Sequence, residues 1–364
     1  MTTPMRAQQQ QTPRAELVAI QEKDIPEVAS FIATQSSRSR ESVEAHLRWF
    51  LLENPALRAE DPLGFGLRSA DRLVGCILCS PQLFHCEKQT ILFMGSSLFY
   101  VDDRHRGYGG RIFLQYCRLG NRQPLFGTSA NAEAAALWKA AGASPIPHSE
   151  GELFGVLRWP PIAQEVAQRR YSNRLLSALA GSPVATIAGV FRPLKIDCSS
   201  SDKLQSLTSA EQASDFLQLH PSPTMLTAAR DLPYLRWRYF SGRDATVAVF
   251  AFHSDQSNHE VFVAVNRRIR GYRKQIKTLN VLDVYPEVSQ AEGLQIVGAL
   301  IARYGQMVDA IVLRSRNSEQ QKMFCERGFQ WRAFDAPNSW YLDRSKFLPT
   351  HDWYPVPADG DGLI

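Results

Sequence analysis

Residues 97–117 read Ser-Leu-Phe-Tyr-Val-Asp-Asp-Arg-His-Arg-Gly-Tyr-Gly-Gly-Arg-Ile-Phe-Leu-Gln-Tyr-Cys, and this stretch decides the fold. Residues 97–101 are apolar enough for a strand, and residues 111–117 have the spacing of an amphipathic helix. Glycines lie between them. A strand that passes through a glycine turn into a helix predicts an anion site, because free N–H groups converge there and glycine leaves room for a ligand.

The charge around this turn is positive, since Arg104, Arg106 and Arg111 surround the glycines. The sequence therefore predicts a phosphate-bearing cofactor. The spacing is not that of the phosphate loop of nucleotide hydrolases, because no Gly-Lys-Ser/Thr follows. The match to the dinucleotide-binding fingerprint is poor, because that motif has a different glycine spacing. Asp102 and Asp103 are expected to fix the turn rather than to do chemistry.

The spacing Arg-x-x-Gly-x-Gly, from Arg104 to Gly109, resembles the acyl-CoA pyrophosphate loop of the GNAT N-acetyltransferase superfamily. Residues 124–131 follow as a short strand that ends in polar residues, and residues 132–141 read as an alanine-rich helix closed by Gly142. The resemblance covers residues 17–159. It implies that the fourth and fifth strands part and that the pantetheine arm of the cofactor lies between them.

The resemblance also implies which residues hold the cofactor: the end of the fourth strand, the glycine turn, an asparagine after the fifth strand, and the next helix. The residues predicted in this way are Phe99, Tyr100, Val101, Arg104, Arg106, Gly107, Tyr108, Gly109, Gly110, Asn131 and Trp138. The expected donor is acetyl-CoA or another acyl-CoA, and no metal is expected.

The same pattern occurs twice, 186 residues apart. Asn131 stands eleven residues before Gly142, and Asn317 stands eleven residues before Gly328. We therefore predict an α/β (α+β) chain of two tandem GNAT-like domains, each a mixed, mostly antiparallel twisted sheet flanked by helices. The predicted segments are a disordered N-terminus (1–14), an acyl-CoA-binding domain (15–159), a helical connector (160–200) and a second, degenerate domain (201–364).

The second copy of the loop is weaker than the first. The shift of 186 residues aligns Gln290 with Arg104 and Gly293 with Gly107, but it aligns Gln295 with Gly109. Glu287 and Glu292 are close to this second loop in the sequence. A side chain and acidic neighbours oppose a pyrophosphate, so the favoured interpretation is an ordinary polar helix start. The first copy is expected to hold the cofactor.

Two segments resemble tandem GNAT proteins of bacterial polysaccharide-synthesis systems. One is Leu-Pro-Tyr-Leu-Arg-Trp-Arg-Tyr at 232–239, and the other is the tail with Trp353-Tyr354 and Asp359-Gly360-Asp361. The alternative for the first is a packed edge strand around Trp237, and for the second a solvated end. The acceptor implied by this resemblance is an amino sugar or a polysaccharide precursor.

Composition sets the remaining expectations. The 364 residues exceed the size of one usual core, and 44% hydrophobic and 21% charged residues are ordinary for a soluble protein. A net charge of +5 suits an anionic cofactor but is too weak to indicate nucleic acid. We expect a small-molecule acceptor, no nucleic-acid partner, no favoured membrane-surface contact and a cytoplasmic location, with buried free thiols among the six cysteines. The oligomeric state is left open.

The catalytic residues stay unassigned. In the family a tyrosine on the helix after the asparagine often protonates the thiolate, but Trp138 and Phe324 stand at those positions here. Candidate bases are His85, Glu87, His148, Glu150, Glu152 and Asp283. None is singled out by its pattern.

Three functions follow from these observations. The leading hypothesis is an acyl-CoA-dependent N-acyltransferase, with acetyl-CoA as the expected donor and an amine as the acceptor. The missing tyrosines favour an alternative, a non-catalytic CoA-binding or scaffolding GNAT-like protein. A Fem-type aminoacyl transferase also pairs two GNAT-like folds, but such enzymes lack a good pyrophosphate loop, so residues 104–110 argue against it.

Overall fold

The structure is a computed structural model, and it describes residues 14–36, 38–86, 89–170, 194–197, 201–218, 225–242, 244–254, 260–271, 275–315 and 317–344. The predicted N-terminal segment, apart from Arg14, the aromatic and acidic tail, and most of the predicted connector lie outside these residues. Within them, no helix is long and apolar enough to cross a membrane.

The first part of the chain alternates strands and helices in the predicted order. Its elements are β1 (Glu16–Ile20), α1 (Ile25–Gln35), α2 (Arg40–Leu47), β2 (Gly64–Ser69), β3 (Arg72–Cys86), β4 (Gln89–Val101), α3 (Gly109–Cys117), β5 (Leu125–Gly127), α4 (Ala132–Ala140), β6 (Ser144–Pro145), β7 (Gly151–Val156) and α5 (Trp159–Arg170). A π-helical turn, Arg48–Leu52, extends α2.

The second part repeats this order. Its elements are β8 (Leu204–Leu207), α6 (Ala210–Gln218), β9 (Thr227–Ala228), α7 (Leu232–Arg238), β10 (Val247–His253), β11 (Glu260–Arg270), β12 (Ile276–Tyr285), α8 (Gln290–Tyr304), β13 (Ala310–Leu313), α9 (Ser318–Glu326), β14 (Gln330–Ala333) and β15 (Trp340–Leu342).

These strands form two mixed, mostly antiparallel sheets flanked by helices, which confirms the predicted fold class. The first sheet has the order β1-β2-β3-β4-β5-β15-β6, with β9 paired to β3, and the second has the order β14-β7-β13-β12-β11-β10-β8. One parallel pair lies at the centre of each sheet, β4 with β5 and β12 with β13.

The repeat appears in the structure at the positions that the spacing indicates. Asn131 and Asn317 each cap a nine-residue helix, and their side chains accept hydrogen bonds from the N–H groups three residues on, at 2.9 and 2.7 Å. Each helix is followed by a left-handed glycine, Gly142 with φ 84° and Gly328 with φ 99°. Two local signals, an N-cap and a glycine stop, therefore set both helices.

The two parts exchange one strand. β7 pairs with β13 and β14 in the second sheet, whereas β15 lies between β5 and β6 in the first sheet. The strand that would complete each sheet thus comes from the other part of the chain. The predicted boundaries at residues 159 and 201 stay a prediction, but they do not separate the two sheets strand by strand.

The core joins the two parts as well. One cluster of buried residues takes side chains from α1, α2, α7 and both sheets. At its centre the Trp49 indole N–H donates to the Trp237 carbonyl at 3.0 Å, and the Trp237 indole N–H donates to the Trp49 carbonyl at 2.9 Å. These reciprocal bonds satisfy two buried indole groups.

The edge strand considered for the segment around Trp237 is wrong, because this segment is the helix α7. The Asp231 side chain accepts from the Tyr234 N–H at 2.9 Å, and Pro233 lies in the first turn. An acidic N-cap followed by proline is a helix start, and this signal was present in the sequence.

Three of the four cysteines whose side chains the structure describes are buried, as the sequence predicts, and Cys325 is half-buried. Cys76, Cys79, Cys117 and Cys325 are free thiols. Burial raises the pKa of Cys76 to about 12 and that of Cys117 to about 11. Such thiols are protonated at neutral pH and are poor nucleophiles.

Candidate functional site

The parallel pair β4 and β5 is short, and the two strands part. Their ladder runs only from Met94 and Leu125 to Ser96 and Gly127, although residues 89–170 are described without a gap. Just beyond, β4 has a bulge against β3, and Leu98 has a left-handed φ of 49°. A bulge bends its strand and leaves one residue unpaired, so β4 turns away from β5 at this point.

Side chains close the inner end of this β4–β5 cleft. The Tyr116 hydroxyl, on α3, contacts the Met94 carbonyl at 2.7 Å and the Phe126 carbonyl at 3.2 Å, one on each strand. Burial raises the pKa of Tyr116 well above its ordinary value, so the hydroxyl keeps its proton and remains a donor. The Trp138 ring packs edge-on against Phe113 and Tyr116, with centroids 5.1 and 5.9 Å away.

A cavity of about 650 Å³ fills the cleft and opens beside the start of α3. Eight of the predicted cofactor residues line it: Phe99, Tyr100, Val101, Arg106, Gly109, Gly110, Asn131 and Trp138. Arg104, Gly107 and Tyr108 do not. Sequence reasoning missed several polar residues of the wall, Gln35, Ser96, Ser97, Thr128 and Ser129. The size is in the range of small-molecule sites.

The glycine turn differs from its prediction in one respect. Residues Asp103–Tyr108 form a 3-10 helix that runs directly into α3. The Arg104 N–H donates to Asp102 Oδ1 at 3.0 Å, and the Gly109 N–H donates to the Arg106 carbonyl. The expectation of free N–H groups is therefore wrong for Arg104, for His105, which donates to the Asp102 carbonyl at 2.8 Å, and for Gly109. Asp102 caps the turn, and a 3-10 helix uses its own donors.

The turn does keep open space around two glycines. A Cβ atom on Gly107 or Gly110 would meet no atom within 4 Å, and neither residue has a positive φ. Neither packing nor backbone conformation therefore requires glycine at these positions. The Tyr108 N-cap of α3 makes no side-chain capping bond. This bare surface fits a pyrophosphate that approaches the backbone.

Charged side chains surround the mouth of the cavity. Arg106 Nε lies 3.0 Å from Asp103 Oδ1, and Arg106 Nη1 lies 3.9 Å from Glu133 Oε1 on the other side of the mouth. All three side chains are more than 60% exposed, and pairs of this kind are weak. Arg106 is therefore free to exchange a carboxylate for a phosphate. Arg104 is exposed, and the Arg111 guanidinium lies 5.4 Å from the centre of the Tyr108 ring.

The structure places the remaining predicted residues as follows. Asn131 lines the cavity while its Oδ1 caps α4, which leaves its amide to face a ligand. Its contact with a pantetheine arm stays a prediction. Trp138 is 2% exposed, and its indole cannot supply a proton at neutral pH.

None of the described candidate bases lines the cavity, and Glu87 lies outside the described residues. Asp283 is buried and accepts from both Arg230 and Tyr239, so it is occupied structurally. Glu152 pairs with Arg270 at 3.0 Å. His85 Nδ1 lies 2.9 Å from the Thr90 hydroxyl.

The second copy of the loop is a closed helix start. The Ser289 hydroxyl accepts from the Glu292 N–H at 3.2 Å, and Glu292 Oε2 accepts from the Ser289 N–H at 2.9 Å. This capping box covers the start of α8 with the protein's own side chains. The expectation of an ordinary polar helix start is confirmed.

Neither a protein-family model nor a curated protein matches the sequence. Solved structures do match. A conserved protein from Enterococcus faecalis, described as a probable N-acyltransferase, has a TM-score of 0.52 at 8% identity over 90% of this chain and 72% of that one. A GCN5-related N-acetyltransferase from Anabaena variabilis has a TM-score of 0.53 at 11% identity, with the same coverage.

The N-myristoyltransferase of Saccharomyces cerevisiae, solved with bound myristoyl-CoA, has a TM-score of 0.52 at 10% identity over 90% of this chain and 79% of that one. At such low identity these likenesses speak for the fold alone. The predicted resemblance is confirmed at this level: the chain has the fold of the GNAT N-acetyltransferases.

Proposed function

We propose that this chain is an acyl-CoA-dependent N-acyltransferase that uses acetyl-CoA and acylates an amine, such as an amino sugar or a polysaccharide precursor. The observation that carries the proposal is the cleft between the parted strands β4 and β5, which is lined at one end by Gly110, with the open surface of Gly107 one turn before it in the chain. A slender ligand with a diphosphate at one end matches this combination.

The two strand edges suit an amide-bearing arm. Beyond Ser96 and Gly127 no ladder joins β4 to β5, so an extended ligand can pair with the backbone as an added strand would. The thioester that acyl-CoA supplies makes the acyl group reactive toward an amine. The bulge around Leu98 leaves an unpaired residue in β4, which suits an N–H donor to the developing oxyanion.

The inner end of the cleft favours a short acyl group. A Cβ atom on Gly127 would lie 2.8 Å from Ser96 Oγ and 3.0 Å from Trp138 Cζ2, so the wall is already tightly packed. The yeast relative was solved with a myristoyl chain, whereas the tight packing around Ser96 and Trp138 supports acetyl-CoA here.

Acetyl-CoA is expected to raise the Tm of the protein by a few degrees, and Gly107→Glu is expected to abolish this rise. The glutamate carboxylate would lie where the diphosphate approaches and repel it, and the open space around residue 107 admits the side chain without strain. At a concentration of 100 times Kd, bound ligand stabilises by about 2.7 kcal/mol. Differential scanning fluorimetry measures both effects.

Gly107→Gln is the matched control, because it adds nearly the same bulk without charge and is expected to keep part of the shift. Gln164→Glu adds the same charge at an exposed position of α5 and is expected to keep all of it. If Gly107→Glu keeps the full shift while its Tm without ligand is normal, the glycine surface is not the diphosphate site.

One observation favours a second function, binding of acyl-CoA without transfer. Trp138 occupies the position from which a tyrosine would protonate the thiolate, and none of the described candidate bases lines the cavity. The two functions differ in turnover. Release of free CoA when amino sugars, amino acids or polyamines are added supports transfer. Binding of acyl-CoA without release of CoA in the presence of any of these acceptors supports a scaffold.

A further inference from the structure

A second cavity, of about 360 Å³, lies between α2 and the loop that joins α7 to β10. We call it the arginine cavity. Both parts of the chain contribute to its wall, with Arg38, His46 and Trp49 from the first and Arg238, Tyr239 and Asp244 from the second. Its described lining shares no residue with that of the β4–β5 cleft. Arg238 and Tyr239 belong to the segment 232–239 that the sequence analysis noted, but no sequence pattern predicted a cavity there.

The arginine cavity is rich in positive charge. Arg38 and Arg238 line it, and Arg268 of β11 is close enough to act on His46. Among its described lining residues Asp244 is the one carboxylate, and Asp244 Oδ1 already accepts from the N–H and the hydroxyl of Thr246, at 2.9 and 2.5 Å. Burial lowers the pKa of Arg268. The Asp244 carboxylate raises this pKa, and the neighbouring arginines lower it further.

His46 adds a polar atom without a partner. Its Nε2 is buried and makes no hydrogen bond, while its ring stacks on Phe50 with centroids 5.8 Å apart. Burial, and then Arg38, Arg238 and Arg268, lower the pKa of His46 to about 3, so the ring is neutral. A neutral imidazole can donate one hydrogen bond, and buried polar atoms normally have a partner.

Aromatic side chains hold Arg238 in place in the wall of the arginine cavity. The Arg238 guanidinium lies 5.5 Å from the Trp237 ring centre and 6.0 Å from that of Trp49, and these two residues are joined by the reciprocal indole–carbonyl bonds. Arg238 is 3% exposed. A fixed guanidinium loses little freedom when it binds an oxyanion, which favours binding.

We infer that the arginine cavity binds an oxyanion, the carboxylate or phosphate group of the amine acceptor. This inference rests on the proposed function. Gln35 lines the β4–β5 cleft and Arg38 lines the arginine cavity, and three residues of extended chain span at most about 11 Å. The walls of the two cavities therefore approach each other at this point of the chain, and the inference places the amine of the bound acceptor on the side of the cleft.

The test uses the Gly107→Glu protein, so that the glycine surface takes up no phosphate, and follows the ring signals of His46 by NMR. Inorganic phosphate and glucosamine 6-phosphate are expected to shift these signals, and glucosamine is not. β-Alanine tests whether a carboxylate serves as well as a phosphate. Equal binding of glucosamine and glucosamine 6-phosphate would overturn the inference.

Arg38→Gln is expected to weaken the binding of glucosamine 6-phosphate at least about tenfold, which is the effect of losing one charge-assisted hydrogen bond. Arg40→Gln removes an exposed arginine two residues away that does not line the cavity, and it is expected to change binding less than twofold. Equal effects of the two substitutions would show that only the general charge matters, against a specific site.

The outcome is separable from that of the proposed function. Acetyl-CoA is expected to stabilise the Arg38→Gln protein as it stabilises the wild type, because Arg38 does not line the cleft. If acetyl-CoA binds but glucosamine 6-phosphate does not shift the His46 ring signals, the inference is wrong while the proposed function stands. If glucosamine 6-phosphate binds but no acyl-CoA does, the proposed function fails and an anion site remains.

Discussion

Residues 1–170 and 171–364, expressed as separate chains, are expected to remain unfolded or to aggregate, and to fold into a 1:1 complex when they are expressed together. The exchange of β7 and β15 is the reason. Each fragment carries the strand that the other sheet needs, so neither can complete its own sheet. Circular dichroism and size-exclusion chromatography of the single and combined fragments measure the result.

The edges that this cut exposes are buried in the intact chain. All four residues of Ala310–Leu313 are buried, and the second fragment alone leaves their edge without β7. The first fragment alone leaves Leu125–Gly127, also buried, without β15. Exposed apolar edges of this kind template aggregation. The core around Trp49 and Trp237 is lost in both fragments.

A shorter partner provides the control. Residues 1–150 lack β7 but keep the other described strands of the first part, so they are expected not to rescue residues 171–364. If residues 1–170 prove to be a monomer that unfolds cooperatively on its own, the exchanged strands do not carry the stability of the two sheets. The measurement therefore tests the topology as well as the energetics.

Local signals explain how much of this fold could be predicted from the sequence. Asn131 and Asn317 act within one helical turn, and the glycines that end their helices act through their own φ angle. Both signals can be recognised in the sequence without knowing which elements pack against these helices. The glycine turn could be recognised for the same reason, and eight of the eleven cofactor residues that the family resemblance implies line the cavity.

The parts that could not be predicted depend on distant partners. The sequence of Gly151–Val156 predicts a strand but not the sheet to which the strand belongs, because its pattern does not indicate that β13 is the neighbour. The arginine cavity joins Arg38 to Arg238, which are far apart in the chain. The 3-10 turn is a local exception: Asp102 was expected to fix the turn, and it does so by accepting from the Arg104 N–H group, which the glycine pattern alone left free.

Arg230→Ala is expected to lower the free energy of unfolding by about 3–5 kcal/mol, the usual effect of leaving one partner of a buried ion pair alone. Arg230 Nε and Nη2 lie 2.8 and 2.9 Å from the two carboxylate oxygens of Asp283, and both side chains are almost fully buried. Arg230 Nη1 also donates to the Thr227 hydroxyl at 2.7 Å and to the Ala228 carbonyl at 2.9 Å. Urea denaturation measures the loss.

The Arg230–Asp283 pair is expected to have this effect on stability because it connects the two sheets. Arg230 follows β9, which pairs with β3 of the first sheet, while Asp283 lies on β12 of the second. In Arg230→Ala the carboxylate loses both guanidinium bonds and keeps the bond from the Tyr239 hydroxyl, at 2.9 Å, while β9 loses its ion pair with the second sheet.

Arg236→Ala is the matched control for Arg230→Ala. It breaks the exposed pair with Glu211 and is expected to leave the urea midpoint unchanged, because solvent screens such pairs. Replacing both buried partners, Arg230→Met with Asp283→Leu, is expected to recover most of the loss, since the cost comes from an unpaired charge rather than from a missing attraction. If the double substitution is as unstable as Arg230→Ala, the loss comes from the local Arg230 bonds to Thr227 and Ala228 or from the Tyr239 hydroxyl, and not from an unpaired Asp283 carboxylate.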